Sequence, residues 1–207
     1  MDLPINQIIC GDCLEVMRDW PDNCVDLVLT DPPYPDYHKE KYKYYAGILD
    51  VLTLFDCVQL IFWTAKVRFP LSYSSIHIWD KSIDCASYYE RIFERNGGLS
   101  YKIYRQHPPI FTDIPSGQRD VNMGHPSQKP LPLLKKLILQ YSKKQFLILD
   151  PFCGSGTTCV AAKMLGRDYI GIDISEEYCQ IARDRIKAVE TGVPVKEARA
   201  GQKGLWE

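Results

Sequence analysis

Short, β-rich apolar runs alternate with helix-period segments along most of the chain, which confines it to βα units around a mostly parallel sheet. The runs are Val25 to Leu29, Gln59 to Phe62, Ser75 to Trp79, Phe146 to Leu149 and Tyr169 to Ile172. Leu131, Leu134, Leu137, Ile138 and Tyr141 recur at helical spacing after Pro130, and Pro132 is tolerated because it falls in the first turn. A second helix is predicted after Gly154 and Gly156, with Val160, Ala161, Met164 and Leu165 on one face and its end near Gly166. A third starts after Ser175, a good N-cap followed by Glu176 and Glu177, and buries Tyr178, Ile181, Ala182 and Ile186.

At 207 residues and 45% apolar composition the chain suits one domain, predicted over residues 1–188, with residues 189–207 a flexible tail. Two stretches, Pro35 to Tyr45 and Gln106 to Gly124, lack periodicity and read as long loops, which in compact domains are usually functional or disordered. Lysine and arginine number 25 against 26 acids, so composition does not announce a general polyanion binder, and a nucleic-acid partner needs a local basic surface. No apolar run approaches the ~18 residues of a membrane span, and the N-terminus lacks a signal-peptide pattern, so the expectation is a cytoplasmic protein with no membrane partner. The eight cysteines then read as reduced thiols. Cys10 and Cys13 form a lone C-x-x-C without a second pair, too few ligands for zinc, and no metal is expected.

Two constellations carry chemistry. Asp150-Pro151-Phe152-Cys153-Gly154-Ser155-Gly156-Thr157-Thr158 lies between an apolar strand and a helix. An acid at a strand end, then glycines that admit a ligand to the backbone, then a helix N-terminus, is how doubly wound folds bind nucleotide-like cofactors. No lysine follows the second glycine, so this is not a phosphate-binding Walker loop. About twenty residues on, the next strand ends in Asp173, placed to accept hydrogen bonds from ribose hydroxyls. The second constellation is Asp31-Pro32-Pro33-Tyr34, again at the carboxyl end of an apolar strand. Its prolines contribute no N–H, so the Asp31 carboxylate and the backbone carbonyls form a stiff, acceptor-only lip suited to an amino group. Tyr34 offers a face on which a planar base can stack.

Together these residues resemble the S-adenosylmethionine-dependent amino-methyltransferases of DNA, and in particular the permuted β class. The resemblance extends to Gly11-Asp12 with Cys13 and Leu14, and to His125-Pro126-Ser127-Gln128-Lys129-Pro130 before the helix. Its specific part is the order, with the catalytic motif early and the cofactor loop and ribose acid late. It implies a Rossmann-like, doubly wound α/β fold with a mostly parallel seven-stranded sheet. It further implies that Asp31, Pro32, Pro33 and Tyr34 act on the target amine, that Asp12 contacts the cofactor adenine and Asp173 its ribose, and that the backbone from Phe152 to Gly156, with Asp150, Ser155 and Thr157, forms the methionine site. Lys129, with Ser127 and Gln128 beside it, would help hold the cofactor's amino-acid end.

The implied substrate is duplex DNA in a prokaryotic cell or virus-infected host, as in restriction-modification, with the target base flipped out of the helix. Asp at the first motif position is associated with adenine N6, with cytosine N4 as the alternative. An RNA or protein-amide methyltransferase, or an idle nucleotide-binding protein of the same fold, is a further alternative. Relatives acting on protein glutamine favour Asn at that position and carry the cofactor loop first, and an idle protein predicts decayed motifs where these are intact. Little chain remains for reading sequence. The basic, Tyr-rich loop with Lys39, Lys41 and Lys43, and a short recognition insert near residues 105–124 with Arg105, Gln106, His107, Gln118, Arg119 and Asn122, are the candidates. A homodimer would widen that contact surface.

Overall fold

The computed structural model describes residues 2–33, 47–64, 66–80, 89–98, 101–105 and 128–193. These build one eight-stranded sheet: β1 (Gln7–Cys10), β2 (Leu27–Thr30), β3 (Val58–Trp63), β4 (Ser75–Asp80), β5 (Tyr89–Arg95), β6 (Ile103–Arg105), β7 (Leu147–Asp150) and β8 (Asp168–Asp173). The spatial order is β1-β8-β7-β2-β3-β5-β4-β6. Every pairing is parallel except the two made by β5, so β5 alone runs against the rest. The doubly wound, mostly parallel sheet expected from the sequence is present. The expected seven strands are eight, because the short β6 adds a parallel edge beside β4.

The central strands β2 and β7 are buried at every position, which is why they read as unbroken apolar runs. Their side chains alternate between two layers. Leu27, Leu29 and Ile148 face a core shared with α3 (Leu131–Tyr141), α4 (Thr157–Met164) and α5 (Glu176–Thr191). Val28, Leu149, Ile170 and Ile172 face the opposite core, with Cys13 and Met17 of α1 (Cys13–Met17) and Val51 of α2 (Ile48–Thr53). Among the described residues no helix is long and apolar enough to cross a membrane. Helix α5 is capped by Ser175, as its sequence predicts, but it runs past Ala188 to Thr191 and stops only at Gly192, whose φ of 71° is left-handed. Its last turn carries Val189, which is partly buried against the core on the sheet's α3–α5 face.

A buried polar cluster ties α3 to the sheet. Tyr141 donates to Glu94 Oε2 at 2.8 Å, and His77 Nε2 lies 2.8 Å from the same oxygen. The Lys102 amide donates to His77 Nδ1 at 3.1 Å, which leaves the proton on Nε2. Burial pushes the His77 pKa down, in keeping with a neutral ring.

Candidate active site

Strands β1, β8, β7, β2 and β3 all end on one edge of the sheet, and the helical connection from β7 to β8 advances in the opposite direction to that from β2 to β3. Neighbours β7 and β2 thus flank the switch point where open α/β sheets form a ligand crevice. Asp150 closes β7 and Asp31 follows β2. The two motifs, 119 residues apart by number, are brought to adjacent strand ends and joined across the crevice by the Thr30 hydroxyl, which donates to Asp150 Oδ1 at 2.7 Å.

Asp150 is buried, and its carboxylate faces Thr30, Thr158 and the Phe152 amide, the last donating at 3.2 Å. Burial pushes its pKa up to about 6, although the hydrogen bonds from Thr158, Thr30 and Phe152 oppose the rise. Its side chain therefore shapes the loop from within. The loop then turns on itself: Cys153 donates its amide to the Ile172 carbonyl at 2.9 Å and Gly154 donates its own to Asp173 Oδ2 at 2.9 Å. The other Asp173 oxygen accepts from the Ser175 amide at 2.9 Å, at the start of α5.

Gly156 is required twice over. Its φ is 76°, and a Cβ there would lie 2.6 Å from the Ala182 Cβ, so only glycine lets α4 begin this close to α5. Ser155 and Thr157 are buried and turn toward Arg185 of α5, whose Nη1 donates to the Ser155 carbonyl at 2.6 Å, the Ser155 hydroxyl at 3.2 Å and the Thr157 hydroxyl at 3.0 Å. Sequence reading missed Arg185. Its signal was an arginine on the apolar face of α5, four residues after Ile181 and three after Ala182.

Asp12 sits after β1, where the Gly11 amide donates to the Asp173 carbonyl at 2.9 Å, and its Oδ1 caps α1 by accepting from the Leu14 and Glu15 amides at 2.9 and 3.3 Å. It thus shares the rim with Asp173. Lys129 stands just before α3 and its ammonium pairs with Asp31 Oδ2 and lies 3.4 Å from Glu90 Oε2 at the start of β5. The lysine expected at the cofactor's amino-acid end is thus placed on the acid of the Asp31-Pro32-Pro33 lip. Glu90 was missed because β5 carries two adjacent Glu-Arg pairs around only Ile92 and Phe93, without a longer apolar run. Tyr34, Ser127, His125, the lysines at 39, 41 and 43, and Gln106, His107, Gln118, Arg119 and Asn122 lie outside the described residues; Arg105 is the last residue of β6.

A model of the N6/N4 DNA methylase family matches residues 58–184, more than half of the chain. The chain belongs to that family. The YubD protein of Escherichia coli K12 is 29% identical over 213 residues, covering 90% of this chain and 92% of that one. The Type II methyltransferase M.HinfI of Haemophilus influenzae is 24% identical over 249 residues, 90% of this chain and 69% of its own. Among solved structures, the Thermus thermophilus protein TTHA0409 complexed with S-adenosyl-L-methionine superimposes with a TM-score of 0.57 at 25% identity, over 88% of this chain and 93% of that one. The family's name spans methylation at both N6 and N4, so this methylase is placed by chemistry and substrate polymer, and the base itself is a separate question.

Proposed function

We propose that this methylase binds S-adenosylmethionine along the rim formed by Asp12, Asp173 and the loop from Asp150 to Thr157, and methylates adenine N6 of a base flipped out of duplex DNA into the lip at Asp31. The observation that supports this reading most is the adjacency of the two motifs at the switch point, bridged by Thr30 and Asp150 at 2.7 Å. The donor set fits the cofactor's polar groups: glycine backbone at the start of α4, and the Asp173 carboxylate at the end of β8, which keeps lone pairs for hydroxyl groups beyond its two amide bonds. When bound, the cofactor supplies an electrophilic methyl group.

An exocyclic amine is a poor nucleophile because its lone pair is delocalised into the ring. Asp31 and the Pro32 carbonyl accept its two hydrogens and draw the nitrogen toward tetrahedral geometry. Because Pro32 and Pro33 fix their φ angles, the acceptors are oriented before the base arrives, and little reorganisation is left for the reacting step. Tyr34 stacks on the base. As positive charge grows on the nitrogen the Asp31 carboxylate stabilises it, and the surplus proton leaves afterwards.

The test is transfer of labelled methyl to duplex DNA followed by nucleoside analysis. N6-methyladenine is expected, and N4-methylcytosine would move the assignment to the other amine. Asp31→Ala should lower the rate roughly a hundredfold with cofactor affinity retained. Activity above about a tenth of wild type would remove Asp31 from the reaction.

A further inference from the structure

We propose that Glu90 is a positioning residue for methyl transfer, anchoring Lys129 against Asp31 and keeping the acceptor site negatively charged; this rests on the role of Asp31 given above. Three distant segments converge here: Asp31 after β2, Glu90 on β5 and Lys129 before α3. Because β5 is the one reversed strand, Glu90 near its start reaches the same edge as the ends of β2 and β3. The Lys129 side chain is buried, lies 5.1 Å from the centre of the Phe62 ring and meets both carboxylates, each of them mostly shielded from solvent.

A lysine paired with Asp31 alone would cancel the charge that has to stabilise a developing cation on the amine. Glu90 restores it. The three groups sum to a net negative charge in a shielded site, where a fixed charge acts more strongly than in water. The second carboxylate also constrains direction. An ammonium on a flexible four-carbon stem has no preferred geometry of its own, and carboxylates from two different segments, one after β2 and one on β5, fix where it sits. Burial works against the charged lysine, but Asp31 and Glu90 outweigh it and hold its pKa above the ordinary lysine range.

The full-length protein is tested as wild type, Glu90→Gln, Glu90→Asp and Asp31→Ala, measuring kcat on duplex DNA, cofactor Kd by calorimetry and Tm. Glu90→Gln is expected to lower kcat roughly tenfold or more, with cofactor Kd within about threefold, and Glu90→Asp to recover part of the loss. A kcat within about twofold of wild type in Glu90→Gln, or a loss seen equally in cofactor affinity, overturns the proposal. Should Glu90→Gln fail to fold, Glu90→Asp decides: its shorter stem draws back from Lys129, so kcat must fall at unchanged Kd, and an unchanged kcat overturns the proposal. An active Asp31→Ala would instead defeat the reading of Asp31, whatever Glu90 does.

Discussion

The Gly154 amide donates to Asp173 Oδ2 at 2.9 Å, so the loop that follows β7 is held by the acid that closes β8. The second Asp173 oxygen takes the Ser175 amide at 2.9 Å, and one carboxylate thus fixes both the loop and the start of α5. Asp173→Asn keeps the size but leaves one oxygen to serve two amides. We expect cofactor affinity to fall about tenfold to a hundredfold, the equivalent of losing a charge-assisted hydrogen bond of roughly 1.5 to 3 kcal/mol. Calorimetry measures it, and unchanged affinity would take Asp173 out of the cofactor site.

Two glycines with left-handed backbone should respond differently to alanine. Gly156 at φ 76° meets the Ala182 Cβ at 2.6 Å, whereas a Cβ on Gly166 at φ 68° meets nothing within 4 Å. Gly166→Ala carries the conformational cost alone, about 1 to 2 kcal/mol, while Gly156→Ala adds overpacking of roughly 1 to 3 kcal/mol. Urea unfolding of the two variants gives the comparison. Equal losses would mean that α5 shifts freely away from the loop.

The sequence made the central sheet legible because β2, β3, β7 and β8 are buried on both faces and spell continuous apolar runs. It hid β5 for the opposite reason. Glu94 is buried where His77 and Tyr141 satisfy it, and the half-buried Arg95 donates to Gln59 Oε1 at 2.8 Å and to the Ser72 and Leu52 carbonyls, so a strand rich in charges is stable through partners that no local pattern reveals. The motif residues were legible as types, but not the direction of each side chain. Asp150, Ser155 and Thr157 turn inward to Thr30 and Arg185, and Lys129 turns to Asp31, which only the pairing of distant strands decides.

Asp150 should make stability depend on pH in an identifiable window. Burial raises its pKa from 3.8 to about 6 in the folded protein, so below about pH 4 the carboxyl is neutral in both states and contributes no penalty. As pH rises from about 4 to 6 the unfolded chain ionises first, and the folded state loses stability, by about 3 kcal/mol in all. Above about pH 6 the loss is complete. Asp150→Asn can still accept from Thr30 and the Phe152 amide through its amide oxygen but cannot ionise. The difference in unfolding free energy between wild type and variant should therefore grow in the variant's favour across this window in a urea series. A difference that is flat from about pH 4 to 7 would contradict the buried, raised carboxyl.

Arg185 links α5 to the cofactor loop from beneath. It is buried, and one of its nitrogens serves the Ser155 carbonyl and the hydroxyls of Ser155 and Thr157 within 3.2 Å. A lysine would carry the charge but not the planar fork, and a methionine would keep most of the apolar stem while withdrawing every donor. In Arg185→Met the loop groups lose a charged donor in a buried place, at a cost of about 1 to 3 kcal/mol. Part of that cost should appear as lost order in the loop, since Asp173 still holds Gly154 but nothing equivalent holds Ser155 through this contact. We expect faster hydrogen exchange at Ser155 and Gly156 and roughly tenfold weaker cofactor binding, with kcat at saturating cofactor near wild type because Asp31 is untouched. Arg185→Lys should fall between the two. If the methionine variant binds cofactor as tightly as wild type, the loop's shape is set by Asp173 and Gly156 without help from α5's arginine.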